Sequence, residues 1–91
     1  MSLNKLFIIL QNNEDARPFA QAFEQENPDA LFKYDQPGMI RIEANGALGI
    51  TQEVISEIAG REVDLQELHL VVVSLSGNVD EDDEYFRLSW N

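Results

Sequence analysis

The C-terminal stretch from Ser74 to Trp90 constrains this chain most. Two apolar, strand-like segments flank five consecutive acids, Asp80 to Glu84. Five adjacent carboxylates repel one another and cannot be buried together, so the run must lie in water or against a basic surface. The flanks are apolar enough to anchor in a sheet. The expectation is a rigid hairpin with concentrated negative charge at its tip, an arrangement suited to recognition rather than catalysis. Asp80, Asp82 and Asp83 are its candidate contact residues.

The rest of the composition sharpens that reading. Ninety-one residues amount to one domain, and a chain of this size buries roughly 60–65% of the surface its unfolded form exposes. Seventeen acids against six bases give a formal charge of −11. Such a field repels nucleic acid and anionic membranes and favours rapid, salt-sensitive encounter with a basic protein surface. Net acidity also has a plainer reading, as a solubility device. Without cysteine, disulfides, thiolate metal sites and thiol catalysis are excluded. The longest apolar run, Leu6 to Leu10, is far too short for a membrane span. Met1 to Lys5 lacks the features of a secretory signal, so the expected location is the cytoplasm.

Hydrophobic periodicity lays out the elements. Leu3 to Leu10 contains Leu6-Phe7-Ile8-Ile9-Leu10, apolar on both faces as in a covered central strand. Ala16, Phe19, Ala20 and Phe23 mark one face of a helix, with Pro18 near its start and Asn27-Pro28 at its end. Strands at Leu31 to Asp35 and Met39 to Glu43 follow, joined by Gln36-Pro37-Gly38 in a type II turn. Ala47 to Ile50 leads into a helix from Thr51 to Ala59, with Thr51 as N-cap, Ile50 and Ile55 as staple, and Gly60 closing it. Asp64-Leu65-Gln66-Glu67 reads as a capping box and a further helical turn. The last strands are placed at His69 to Ser76 and Tyr85 to Trp90. The fold expected is α+β: one compact domain over residues 1–91, built of two β-α-β-β-like halves with helices packed on largely antiparallel sheet.

Catalytic chemistry is hard to assemble from these residues. The single histidine, His69, shares its expected strand parity with Val71, Val73 and Leu75 and reads as a packed or edge residue. Aligned as a calcium loop from Asn78, the acidic run places Asp83 where glycine is needed and Ser89 where a bidentate acid is needed, so that motif fails. Asn45-Gly46-Ala47-Leu48-Gly49 lacks the spacing and lysine of a phosphate loop and reads as a turn. Ser74, Ser76, Gly77 and Asn78 are small and polar. They either terminate a strand or form a low hydrogen-bonding patch that another protein can approach closely.

Several ordered segments together resemble the effector, or regulatory, proteins of bacterial multicomponent di-iron monooxygenases, phenol hydroxylase branch. They are Gln11 to Arg17, Asn27-Pro28, Met39 to Ala44, Gly77 to Asp83 and Phe86-x-Leu88-x-Trp90. Ala44-Asn45-Gly46 and Ser56 to Arg61 are also similar to the methane monooxygenase effector. The long N-terminal tail of methane-type effectors is not matched, and the acidic run differs from the methane-type sequence. The resemblance implies a protein with neither cofactor nor metal site nor chemistry of its own. Its partner would be a multisubunit hydroxylase carrying a di-iron centre, where docking couples oxygen activation to aromatic hydroxylation of the phenol 2-monooxygenase type. Competition with the reductase for that partner is a further implication. It also implies that Ser74, Leu75 and Ser76 face the active-site side of the hydroxylase, with Gly77, Asn78 and Asn45 as neighbouring candidates. Two other classes remain. A small-molecule regulatory module would need an apolar pocket with converging polar groups, and a nucleic-acid mimic would need carboxylates spread over a face.

Overall fold

Residues 5–34 and 36–90 are described by a computed structural model. Their element order is β1 (Lys5–Gln11), α1 (Arg17–Glu26), β2 (Leu31–Lys33), β3 (Met39–Asn45), β4 (Ala47–Thr51), α2 (Gln52–Ala59), a 3-10 helix (Leu65–Leu70), β5 (Val72–Leu75), β6 (Asn78–Glu81) and β7 (Tyr85–Ser89). The strands form two antiparallel sheets, a larger one in the order β2-β3-β1-β5 and a smaller one in the order β4-β7-β6. The expected α+β class holds. The halves are not self-contained, however, because β5 leaves the second half to pair with β1.

One core joins the layers. Leu6, Ile8 and Leu10 of β1 and Ile40 and Ile42 of β3 face inward against Phe19, Ala20, Ala22 and Phe23 of α1. Leu48, Ile50, Phe86 and Leu88 bring in the smaller sheet, and Ile55, Val63, Leu65, Leu68 and Val71 close the far side. The α1 face foreseen from its i, i+3, i+4, i+7 pattern is the buried one. The capping details match as well. Thr51 Oγ1 accepts from the Val54 amide, Asp64 and Glu67 form the capping box, and the Met39 amide bonds the Gln36 carbonyl across Pro37-Gly38. No helix among the described residues is long and apolar enough to cross a membrane.

Four expectations change, and two strand ends go untested. Strand β1 is central, but only its Leu6, Ile8 and Leu10 face is covered, while Phe7 and Ile9 stay half-buried on the outer face. Leu3, the expected start of that strand, and Asp35, the expected end of β2, lie outside the described residues. His69 and Leu70 belong to the 3-10 helix, not to a strand. A period of three residues places Leu65, Leu68 and Val71 inward together, which suits 3-10 geometry. Of Asn45-Gly46-Ala47-Leu48-Gly49, only Gly46 is a bend; Ala47, Leu48 and Gly49 are strand. Finally, Asn78 to Glu81 is itself a strand, so two of the five acids leave the loop.

Candidate functional site

The chain passes between the sheets twice in its strand regions, and both crossings fall at one end of the molecule. Gly46 (φ 88°) links β3 to β4, and Gly77 (φ 85°) links β5 to β6. Each turns the chain from one sheet plane into the other, a conformation that costs a residue with a Cβ about 1–2 kcal/mol. Ala47 and Asn78 then both pair with Ser89, which brings the two links together. Asn45, Ser76, Gly77 and Asn78, scattered in sequence, are gathered here by this topology, while Ser74 lies farther along β5, opposite Ile9.

Their side chains do different things. Asn45 is exposed and pairs with Lys5 at the end of the β1–β3 ladder. Ser74 is exposed on the outer face opposite Ile9. Leu75, opposite Ile8, packs against the core instead. Ser76 extends the ladder by a side-chain route: its amide donates to the Phe7 carbonyl at 3.0 Å, and its Oγ accepts from the Phe7 amide at 2.9 Å. A Cβ on Gly77 would press into Leu6 Cδ2 and lie 3.0 Å from the Ser89 carbonyl. Ser76 and Gly77 therefore hold the crossing together, a structural duty invisible in their size and polarity alone.

The acids run to the other end of the β6–β7 hairpin, from about 7 Å (Asp80) to about 13 Å (Asp82) along the chain from Asn78 at ~3.3 Å per residue. Asp80 pairs with Arg87 and accepts from the Tyr85 hydroxyl at 3.1 Å, which raises the Tyr85 pKa because ionising it would set two negative charges together. Glu81 meets His69 Nε2 at 2.9 Å, and the His69 ring packs edge-on to Phe86 at 6.0 Å. Asp82 builds the turn, its Oδ1 accepting from the Glu84 and Tyr85 amides at 2.7 and 3.1 Å. Asp83 and Glu84 are exposed. Asp83 lines a depression with Glu62, Asp64 and Glu67. The negative charge is thus held in fixed positions along a strand and a tight turn, and the predicted contact residues form two groups, not one.

A third cluster escaped the sequence reading. Lys5, Lys33 and Arg41 converge on Glu43 on the outer face of the larger sheet, with contacts of 3.9, 3.3 and 2.6 Å. Glu43 is only 7% exposed, and the hydrogen bond from Arg41, reinforced by Lys33, lowers its pKa despite the desolvation. The Arg41 guanidinium also lies 4.2 Å over the Phe7 ring. The alternation Met39-Ile40-Arg41-Ile42-Glu43 was the available signal, since it sets Arg41 and Glu43 on the face opposite Ile40 and Ile42.

Neither rival class gains from the acidic end. The acid-lined depression has a volume of ≈ 510 Å³ but only one apolar lining residue, Val63, so it lacks the apolar lining a metabolite pocket needs. The hairpin carboxylates are clustered, not spread over a face.

Comparison with known proteins agrees over nearly the full length. A sequence profile of the MmoB/DmpM family matches residues 4–89. The chain is 44% identical over 85 residues to the phenol 2-monooxygenase stimulatory component DmpM of Pseudomonas sp. (strain CF600), covering 93% of each. It superposes with a TM-score of 0.91 and 46% identity on a chain from a structure of the phenol hydroxylase–regulatory protein complex, covering 97% of this chain and all of that one. The soluble methane monooxygenase regulatory protein B shares the fold at 20% identity, with a TM-score of 0.74 over all of this chain and 68% of its own.

Proposed function

Because the chain belongs to the MmoB/DmpM family, we propose that it is the regulatory component of a phenol-hydroxylase-type multicomponent monooxygenase and acts by docking on the hydroxylase. The observation that carries this is the full-length match to a chain of a hydroxylase–regulatory protein complex, supported by 44% identity to a stimulatory component. The family's role is stimulatory, not that of the catalytic subunit. The chemistry then belongs to the partner, whose di-iron centre activates oxygen, while this chain needs no cofactor. All 91 residues serve as one effector domain in the cytoplasm.

An effector without chemistry can act only by binding one hydroxylase conformation better than another. The gathered end at Asn45, Ser76, Gly77 and Asn78, continued along β5 to Ser74, is the close-docking surface, where small side chains permit near approach of backbone to backbone. The acidic end at Asp80, Asp82 and Asp83 supplies long-range attraction to a basic surface. If the reductase uses an overlapping surface, the two compete.

The test is reconstitution. Hydroxylase and reductase encoded beside this chain are assayed with and without it, following product formed and reductant consumed. Addition should raise turnover and the product-to-reductant ratio, whereas the chain alone should form no product. Equal turnover and coupling with and without it would overturn the assignment.

A further inference from the structure

We infer that the outer face of the larger sheet is a receptor for carboxylate side chains on the hydroxylase surface, centred on Lys33 and Arg41. This rests on the effector reading and names the chemistry of one contact within it. Register fixes the layout of the face. Lys33, Arg41, Ile9 and Ser74 form one row across β2, β3, β1 and β5, and Leu31, Glu43 and Phe7 form the next. Ser74, a candidate docking residue, therefore shares its row with the cations, and Asn45 stands beside Lys5. The face is continuous with the proposed docking end.

Charge selects the occupant. Three of the six bases in a chain of net charge −11 gather around one carboxylate here. Among the described residues, three cations thus face a single anion, a local positive excess on an otherwise negative molecule. Lys5, Lys33 and Arg41 keep between 40% and 48% of their side chains exposed, so this excess is open to a partner. Glu43 acts as their organiser. It is buried, its Oε1 lies 3.3 Å from the Lys33 Nζ, and its Oε2 takes the Arg41 Nε. Arg41 also lies over the Phe7 ring, and among the described residues its bond to Glu43 uses Nε, not its two terminal nitrogens. A guanidinium fixed in this way presents a fork matched to a carboxylate.

The adjoining depression, ≈ 340 Å³, is bounded by Ile9, Lys33, Gln36, Met39, Arg41 and Glu43. Apolar Ile9 and Met39 accommodate the methylenes of an aspartate or glutamate, while Lys33 and Arg41 meet its charge. With the acidic hairpin seeking a basic surface and this face seeking an acidic one, the two together select among orientations on the partner.

The experiment titrates Lys33→Gln, Arg41→Gln and the double variant into hydroxylase and reductase, beside wild type. Urea unfolding confirms the folded state, and sedimentation follows self-association of the effector alone. Wild-type stimulation shows that the effector reading stands. On that background, the double variant should need at least ~10-fold more protein for half-maximal stimulation, with Lys33→Gln alone showing part of the effect should Arg41→Gln unfold. Folded variants that half-saturate at the wild-type concentration would overturn the inference. So would a variant that alters only self-association, which would assign the face to a second copy of the chain. If wild type itself fails to stimulate, the effector reading falls first.

Discussion

Two glycines with nearly the same backbone angle should respond very differently to a methyl group. Gly46 and Gly77 have φ values of 88° and 85°, so alanine at either incurs about 1–2 kcal/mol for the left-handed conformation. Their surroundings separate them. A Cβ at Gly46 meets nothing within 4 Å, whereas at Gly77 it overlaps Leu6 Cδ2 and sits 3.0 Å from the Ser89 carbonyl. Leu6 is fully buried in the core and Ser89 is fixed in the β4–β7–β6 ladder, so neither yields freely. Overpacking of this kind adds about 1–3 kcal/mol. Gly77→Ala should therefore destabilise by roughly 2–5 kcal/mol, against the ~5–14 kcal/mol expected for a domain of this length. Its melting temperature should fall by about 8 °C or more. Urea unfolding of wild type, Gly46→Ala and Gly77→Ala measures the contrast directly. In a Leu6→Val background, which removes Cδ2, the excess cost of Gly77→Ala should largely disappear. Equal losses at the two glycines, or a strictly additive double variant, would show that the crossing is not sterically closed at Gly77.

Glu43→Gln should destabilise the protein at neutral pH. The folded pKa of Glu43 lies below 4.5, so its contribution is present above that value and lost as pH falls through the folded pKa; the gap between wild type and variant in unfolding free energy should close in that acid range. Ser76→Ala leaves the half-buried Phe7 amide without its acceptor and should cost about 1–3 kcal/mol by urea unfolding. Bulk is better placed at exposed Ser74, where Ser74→Trp should keep the fold while lowering hydroxylase affinity or coupling. Replacing Asp80, Asp82 and Asp83 together by asparagine keeps an oxygen acceptor for the Glu84 and Tyr85 amides, so stability should hold. Association with the hydroxylase should slow by roughly tenfold at low salt and lose most of its salt dependence in stopped-flow measurements. Asn27→Ala strips the β4 edge of two hydrogen bonds, to the Gly49 carbonyl at 2.7 Å and from its amide at 3.2 Å, and should cost about 1–3 kcal/mol.

What could be read in the sequence was local. Helix α1, the caps at Thr51 and Asp64 and the Pro37-Gly38 turn rest on chemistry within a few residues, and each formed as expected. Strand β6 was missed because its residues, Asn78-Val79-Asp80-Glu81, carry poor strand propensity. Pairing with β7 overrides it, through Val79 opposite Leu88 and Asp80 opposite Arg87. His69 was misplaced for the opposite reason: a run of β-branched residues after it suggested strand, while the capping box at Asp64 carries the 3-10 helix through Leu70. The cationic face was hidden because Lys5, Lys33 and Arg41 are far apart in the chain, and only the β2-β3-β1 register unites them.

Finding β6 alters how the acids can act. Carboxylates on a mobile loop would steer a partner from any angle and would then have to be ordered on contact, each immobilised side chain costing about 0.5–1.5 kcal/mol. Here Asp80 is paired across the strand and bonded to Tyr85, Glu81 is tied to His69, and Asp82 is spent on the turn. Much of that ordering has already occurred during folding. The negative end therefore has a direction fixed relative to Ser74 and Asn45. A charge held in this way contributes to orientation as well as to encounter rate, which is what an effector needs if it is to prefer one conformation of its hydroxylase.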